Sequence, residues 1–299
     1  MIIDIHTHIT YANFPEFGRF LNRTPFTADI LLKRMDMEGI DKSVLLPLVH
    51  PECLDYYGVA GNQECIEAAR QHPDRFITFC NVDPRSMMNQ FDDGLRNLLE
   101  LYIDLGCKGI GEMCAGLSVD DIQYQRLFQH AGELGLPIIF HFMPPNFPSY
   151  GAIDDLGLPR LERMLKMFPK TIFLGHSPCF WNELDADITD TNRTGYVPGS
   201  IKNKGRLWKL FEKYPNLYGD CSAGSAHKAL SRDPKGYEFL EKFNDQVCFG
   251  TDRFSSIDEP IPPILNYLKD ALANDNISGN TFENIMHRNF EKIMQGQNR

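Results

Sequence analysis

Asp4-Ile5-His6-Thr7-His8 follows directly on the apolar residues Met1, Ile2 and Ile3. This opening reads as a buried β-strand, and in a strand the side chains of residues i and i+2 point to the same side. His6 and His8 are therefore expected to converge on one point at the strand's end, as two ligands of a single metal ion must. Two hydrogen-bonded core histidines would satisfy the same spacing. The choice between these readings rests on how the other apolar runs of the chain end.

They end alike. Ile138-Ile139-Phe140-His141, Ile172-Phe173-Leu174-Gly175-His176 and Val247-Cys248-Phe249-Gly250-Thr251-Asp252 are β-rich apolar runs closed by an imidazole or a carboxylate. A lone strand-end histidine is more often a satisfied core group than a reactive one. With the opening pair and these three runs together, that reading needs four separate coincidences. A shared metal site needs none.

Eight runs read as strands: 1–5, 43–48, 75–81, 107–112, 138–141, 172–176, 217–220 and 247–250. Amphipathic helical stretches over 28–38, 62–72, 91–105, 122–134, 158–168, 207–214, 237–243 and 261–272 follow them in turn, and a further helix is expected over 278–294. Phe91, Leu95, Leu98, Leu99, Tyr102 and Leu105 recur at helical spacing, so that face is expected against a sheet. Pro73, Pro169 and Pro215 stand where helices should stop, and Gly39, Gly106 and Gly135 where left-handed helix ends should fall. Strands alternating with helices imply parallel strands and right-handed crossovers, and eight such units close as a (β/α)8 TIM barrel. An open doubly wound sheet would scatter the polar groups along an edge, whereas a barrel gathers them at one mouth. No linker or repeat divides the chain, so residues 1–299 are read as a single domain.

Composition narrows the partners. A formal charge of −10 with no Lys/Arg cluster argues against nucleic acid or an anionic membrane as a partner. No stretch has the length of a membrane span, and the first strand begins at Met1, so no signal peptide is expected and the chain is placed in the cytoplasm. The eight cysteines form no C-x-x-C pair, and Cys65, Cys80 and Cys248 read as small buried hydrophobes. Cys114, Cys179 and Cys221 lie just past strand ends, with no adjacent base to activate them.

Taken with Phe140-His141, Leu174-Gly175-His176, Phe249-Gly250-Thr251-Asp252 and the tail Asn284-Ile285-Met286-His287-Arg288-Asn289, the opening Asp-Ile-His-Thr-His resembles the amidohydrolase superfamily. Within it the chain is most similar to the amidohydrolase-related (amidohydrolase 2) group, which includes aminocarboxymuconate semialdehyde decarboxylase-like and resorcylate decarboxylase-like enzymes. The resemblance spans essentially the whole chain and implies a TIM barrel of the metal-dependent hydrolase type. It also implies that His6, His8, His141 and Asp252 are metal ligands, with His176 at the sixth strand a catalytic group or a ligand of a second ion.

The chemistry these residues offer is direct. A divalent ion held by neutral imidazoles and a carboxylate moves the pKa of a bound water from about 15.7 toward about 7. Asp252 could ligate that ion and carry the proton from nucleophile to leaving group, while His176 contacts the water or a substrate oxygen. The N/O donor set favours Zn2+, with Mn2+, Fe2+ and Co2+ as alternatives. Glu112 ends the fourth strand, where relatives with two metals carry a bridging carboxylate. It is read here as a partner that orients His141 or His6, or as a substrate-binding carboxylate, which makes one ion per chain the preferred count; two ions, with Glu112 and His176 among the ligands, is the alternative.

The loops say less. His50 follows the second strand, and 180–204 forms a long segment after the sixth, expected as a lid or a contact in a homo-oligomer. His50, Trp181, Arg193 and His227 are candidate substrate contacts, although Arg193 reads more readily as a solvated surface residue and His227 as a loop histidine. His72, His130 and His287 are read as structural. Three functions fit a small-molecule site of this kind. Hydrolysis of an ester, lactone, amide or related bond leads, because no arginine stands at a strand end to clamp a carboxylate for the second, non-oxidative decarboxylation. The third, a barrel that binds ligand or metal without turnover, gives no reason to keep five site residues together.

Overall fold

In the computed structural model, which describes residues 1–10, 25–53, 58–86, 94–254 and 258–296, nine strands run in chain order. They are β1 Ile3–Thr7, β2 Lys42–Leu45, β3 Phe76–Thr78, β4 Ile110–Met113, β5 Ile138–Met143, β6 Ala152–Ile153, β7 Phe173–His176, β8 Leu217–Asp220 and β9 Val247–Cys248. Every pairing between them is parallel. β1-β2-β3 form one sheet and β4-β5-β7-β8-β9 the other, with the two-residue β6 beside β5. Isolated bridges close the ring: Cys80 pairs with Ile110 between β3 and β4, and Thr7 with Arg253 between the segment after β9 and β1. The closed ring is the expected (β/α)8 barrel, with β6 as an addition. Closure leaves no open edge and brings the carboxyl ends of the strands to one mouth.

The barrel interior is an apolar layer of Ile3, Ile5, Val44, Leu46, Phe79, Ile139, Leu174, Tyr218 and Cys248, plugged by Phe290 and Ile293 of the last helix. Alternation then sets what lies at the mouth. Two residues beyond Ile139 is His141, two beyond Leu174 is His176, and two beyond Tyr218 is Asp220. In β1 the register with β2 shifts between Asp4 and Thr7, so Ile5 belongs to the interior layer even though His6 and His8 both reach the mouth. The larger apolar cluster fills the space between strands and outer helices.

Helices Ala28–Glu38 and Ile122–Leu134 have the expected bounds, and both end on a left-handed glycine, Gly39 and Gly135. The helix expected from residue 91 is described over Gly94–Asp104, and residues 91–93 lie outside the described residues. Two α-helices went unanticipated. Pro178–Trp181 is too short to show a period, and Ala223–Leu230, with Gly224 and Ser225 in its first turn, reads as a loop by composition.

Gly175 is fixed by packing. It pairs with Phe140 across β5 and β7, and a Cβ there would fall within the ring of the fully buried Phe180. Gly175→Ala is expected to cost about 1–3 kcal/mol of stability by overpacking. An unchanged urea midpoint would contradict that account of the joint beneath His176.

Candidate metal centre

His6 and His8 converge as their spacing requires, with Nε2 atoms 3.2 Å apart. Asp252 Oδ1 lies 3.5 Å from each of these nitrogens. Glu112 Oε2 lies 3.7 Å from His6 Nε2 and 3.6 Å from His8 Nε2. Metal–ligand bonds of about 2.0–2.2 Å set tetrahedral donors about 3.4 Å apart. The His6, His8 and Glu112 donors therefore fit around one divalent ion, with Asp252 Oδ1 beside both nitrogens as a further donor. Glu112 turns its other oxygen to the opposite side, where Oε1 accepts from His141 Nδ1 at 2.9 Å and stands 3.8 Å from His176 Nε2. His141 thus groups with Glu112 and His176, while His176 also stands against His6, with ring centroids 4.5 Å apart.

Each imidazole is held by a partner on its other nitrogen. His6 Nδ1 donates to Asp220 Oδ2 at 2.5 Å, and His8 Nδ1 to the Leu46 carbonyl at 2.7 Å. These bonds leave both Nε2 lone pairs free for an ion. His176 Nδ1 pairs with Ser222 Oγ at 2.9 Å. Asp220 is itself anchored, since its Oδ1 accepts from the Ser222 amide and its carbonyl from Trp181 Nε1 at 2.8 Å. The sequence reading passed over Asp220, although Leu217-Tyr218-Gly219-Asp220 is another apolar run closed by a carboxylate. Asp220→Asn is expected to weaken divalent-metal binding 10- to 100-fold, the usual order for such a partner. Unchanged affinity in a competition titration would leave Asp220 a structural carboxylate.

The charges show what the cluster lacks. Burial opposes a proton on His8, but the Asp252 and Glu112 carboxylates outweigh it and raise its pKa from 6.5 to about 9. His6 is raised likewise, against burial, chiefly by Asp220 and Asp252. Glu112 and Asp252 are held below the usual carboxylate range despite burial, Glu112 mainly through hydrogen bonds to His141 and His6, Asp252 mainly through the charge of His6. Protons thus occupy in the metal-free protein the place a cation would take. A group raised on folding contributes its full stability below its unfolded value and loses it as pH rises through the folded one. Metal-free protein is therefore expected to lose thermal stability between about pH 6.5 and 9, a loss that bound metal removes. A flat melting temperature across that window would contradict it. His176 behaves oppositely: burial and the neighbouring His6 lower it to about 4, so it stays neutral.

The centre opens into a cavity of about 250 Å³ lined by His141, His176 and Asp252 together with Tyr150, Tyr196 and Ser225. The Tyr150 ring rests against His141, centroids 4.6 Å apart. None of the four candidate substrate contacts lines this cavity. Trp181 is wholly buried beneath Gly219, where its indole serves Asp220 instead. Arg193 is no solvated surface residue: it is fully buried, with Nη1 directed at the Asp154 carbonyl and Asp190. Its segment folds inward because Asn182 Nδ2 binds the carbonyls of Arg193 and Gly195. His227 lies on helix Ala223–Leu230 against Tyr267 rather than in a loop. His50 is buried between the loop after β2 and the end of β4, where the Cys114 amide reaches it. Tyr150, Ser222 and Ser225 were not anticipated, since they come from connections and a short helix that no periodicity records, while Tyr196 lies in the 180–204 segment expected to extend from the active end.

Comparison with solved structures finds the same architecture in 2,6-dihydroxybenzoate decarboxylase from Rhizobium, 18% identical, with 98% of each chain covered and a TM-score of 0.63. A probable 2-pyrone-4,6-dicarboxylic acid hydrolase from Acinetobacter baumannii is 13% identical, with 98% of this chain and 99% of that chain covered and a TM-score of 0.63. A dihydroxybenzoic acid decarboxylase from Polaromonas sp. JS666, solved with bound manganese and the inhibitor 2-nitroresorcinol, is 16% identical, with 100% of this chain and 97% of that chain covered and a TM-score of 0.60. No curated protein matches the chain. The sequence model of the amidohydrolase family matches residues 3–293, which takes in every residue of the centre from His6 to Asp252. The chain belongs to the amidohydrolase family.

Proposed function

We propose that the chain is a metal-dependent hydrolase that directs an activated water at an ester, lactone, amide or related bond of a small molecule. One observation carries this reading. The Asp252 side chain is 26% exposed and lines the cavity, whereas those of His6, His8, Glu112 and His176 are at most 5% exposed. The carboxylate best able to move a proton thus stands where water and substrate arrive.

His6, His8, Glu112 and Asp252 would hold the ion. When bound, a divalent ion there lowers the pKa of water toward about 7 and polarises a carbonyl oxygen. Asp252, with Oδ2 3.9 Å from His176 Nε2, takes the nucleophile's proton and returns it to the leaving group. His176, kept neutral, can accept or share that proton at Nε2 while Ser222 fixes its other nitrogen. The donor set suits Zn2+, and the manganese in the Polaromonas decarboxylase keeps Mn2+ beside it. One ion at this centre is preferred, because the direct bond between His141 and Glu112 fills the second position.

Non-oxidative decarboxylation is the second reading, favoured by the decarboxylases among the similar folds. Against it, no Lys or Arg is among the described residues lining the cavity. Arg253, at a neighbouring cavity, is committed to Glu38 and Glu259. A cytoplasmic location accords with both readings, and no described helix is long and apolar enough to cross a membrane. A screen of lactones, esters and aromatic carboxylic acids on metal-loaded protein separates the two: hydrolysis liberates an acid or alcohol, decarboxylation carbon dioxide. Carbon dioxide release without hydrolysis of any ester or lactone would replace the first reading by the second.

A further inference from the structure

We propose that His50, Cys53 and Cys114 form a second, sulfur-containing metal site that takes a borderline or soft divalent ion such as Zn2+. One ring nitrogen of His50 and the two Sγ atoms all lie within 4.8 Å of one another, and all three residues are buried. Zn–S bonds of about 2.3 Å and Zn–N bonds of about 2.0 Å place tetrahedral donors about 3.5–3.8 Å apart, so little movement is needed. Two donors come from a single turn, closed by the Cys53 amide on the His50 carbonyl at 3.0 Å. The third comes from the end of β4, two residues beyond Glu112. A tight chelating turn joined by a ligand from a neighbouring strand is how protein sites commonly hold zinc.

A plain apolar reading accounts for only part of this group. Leu48 and Val59 pack against the two cysteines as they would against any small hydrophobes. An imidazole placed among them is a different matter. The Cys114 amide reaches His50 Nδ1 over a long 3.3 Å, and Nε2 is buried with no hydrogen-bond partner. The ring's other side-chain neighbour is Cys53, whose Sγ also reaches the His50 carbonyl at 3.5 Å, so an ion would replace contacts that run among the three donors themselves and supply the interaction that Nε2 lacks. Two thiolates, a neutral imidazole and a divalent cation sum to no net charge, which a buried apolar setting tolerates. The donors also differ in kind from the N/O centre, so hard ions such as Mn2+ would select the first site and thiophilic ions would fill both. A filled site would tie the loop after β2 to the strand that carries Glu112.

The test uses the reduced, metal-free full-length chain titrated with Co2+, followed by absorption in the near ultraviolet. Thiolate ligands give an intense sulfur-to-cobalt charge-transfer band that imidazole and carboxylate ligands cannot give. The proposal predicts this band in the wild type, with about two equivalents of Co2+ or Zn2+ bound but about one of Mn2+. Cys53→Ser should abolish the band and remove one equivalent of Co2+ while leaving the other. His50→Gln should weaken cobalt binding at the band-forming site alone. The wild-type spectrum keeps the test decisive if a variant folds poorly. No charge-transfer band at saturating Co2+, or a band that survives Cys53→Ser unchanged, would overturn the assignment.

Discussion

Asp252→Asn is expected to lower kcat by about 10²-fold or more while metal affinity falls only moderately. The two demands on this side chain separate because an amide oxygen can still approach a cation but cannot take up a proton as a carboxylate does. Asp252 sits at the junction of both roles: Oδ1 faces His6 and His8, and Oδ2 faces His176. Its place is held by the backbone, with the Asp252 amide donating to the His6 carbonyl at 2.8 Å and the His8 amide to the Arg253 carbonyl at 2.9 Å. Substitution should therefore leave the geometry intact. The acidic limb of the pH–rate profile should change with the rate, since it reports the coupled ionisation of nucleophile and base. Metal content and kcat across pH, measured at saturating metal, check this. A metal-loaded Asn variant with near wild-type kcat and an unchanged profile would reduce Asp252 to a ligand and move the base to His176.

Nearly complete loss of the hard-metal site is expected in the double variant His6→Ala, His8→Ala. Both donors leave, and only the carboxylates of Glu112 and Asp252 remain at that position. Asp252 would lose the charge of His6 that chiefly holds it low and Glu112 would keep His141 but lose His6 and His8, so both pKa values should rise. The fold should survive, because Ile3 and Ile5 still fill the barrel interior and the β1–β2 pairing involves backbone groups. Elemental analysis after loading with Mn2+, beside far-ultraviolet circular dichroism, reads both expectations. Full Mn2+ retention in a folded variant would remove the pair from the centre.

How much of this was legible in the sequence depends on what kind of information each residue needed. His6, His8, His141, His176 and Asp252 could be read because each closes an apolar run, and the alternation of a strand fixes which side its last residue faces. Asp220 obeys the same rule at the end of β8 and could have been read with them, but a carboxylate closing a short run, followed by Cys and Ser, draws less notice than an imidazole. Glu112 shows a limit of spacing arguments. Its strand predicts where the carboxyl points but not that one oxygen reaches His141 while the other faces His6 and His8. Trp181 and Arg193 were placed by reading 180–204 as a lid or oligomer contact, and His227 by reading the stretch after the seventh strand as a loop. Instead, Pro178–Trp181 forms a helical turn buried against β5 and β7 with Trp181 reaching β8, and hydrogen bonds from Asn182 fold the Arg193 segment inward. Such contacts join residues that only the path of a loop brings together, and local pattern carries no trace of them.

The most direct measurement is the rate of ester or lactone hydrolysis by metal-free protein as Mn2+ is added back, with bound metal counted at each step. Mn2+ is chosen because its preference for nitrogen and oxygen donors keeps it at the His6, His8, Glu112 and Asp252 centre. Activity is predicted to be negligible without metal, to rise in proportion to occupancy, and to level off at about one ion per chain. Hydrolysis that proceeds at full rate in the metal-free protein, or that ignores occupancy of this site, would contradict the account.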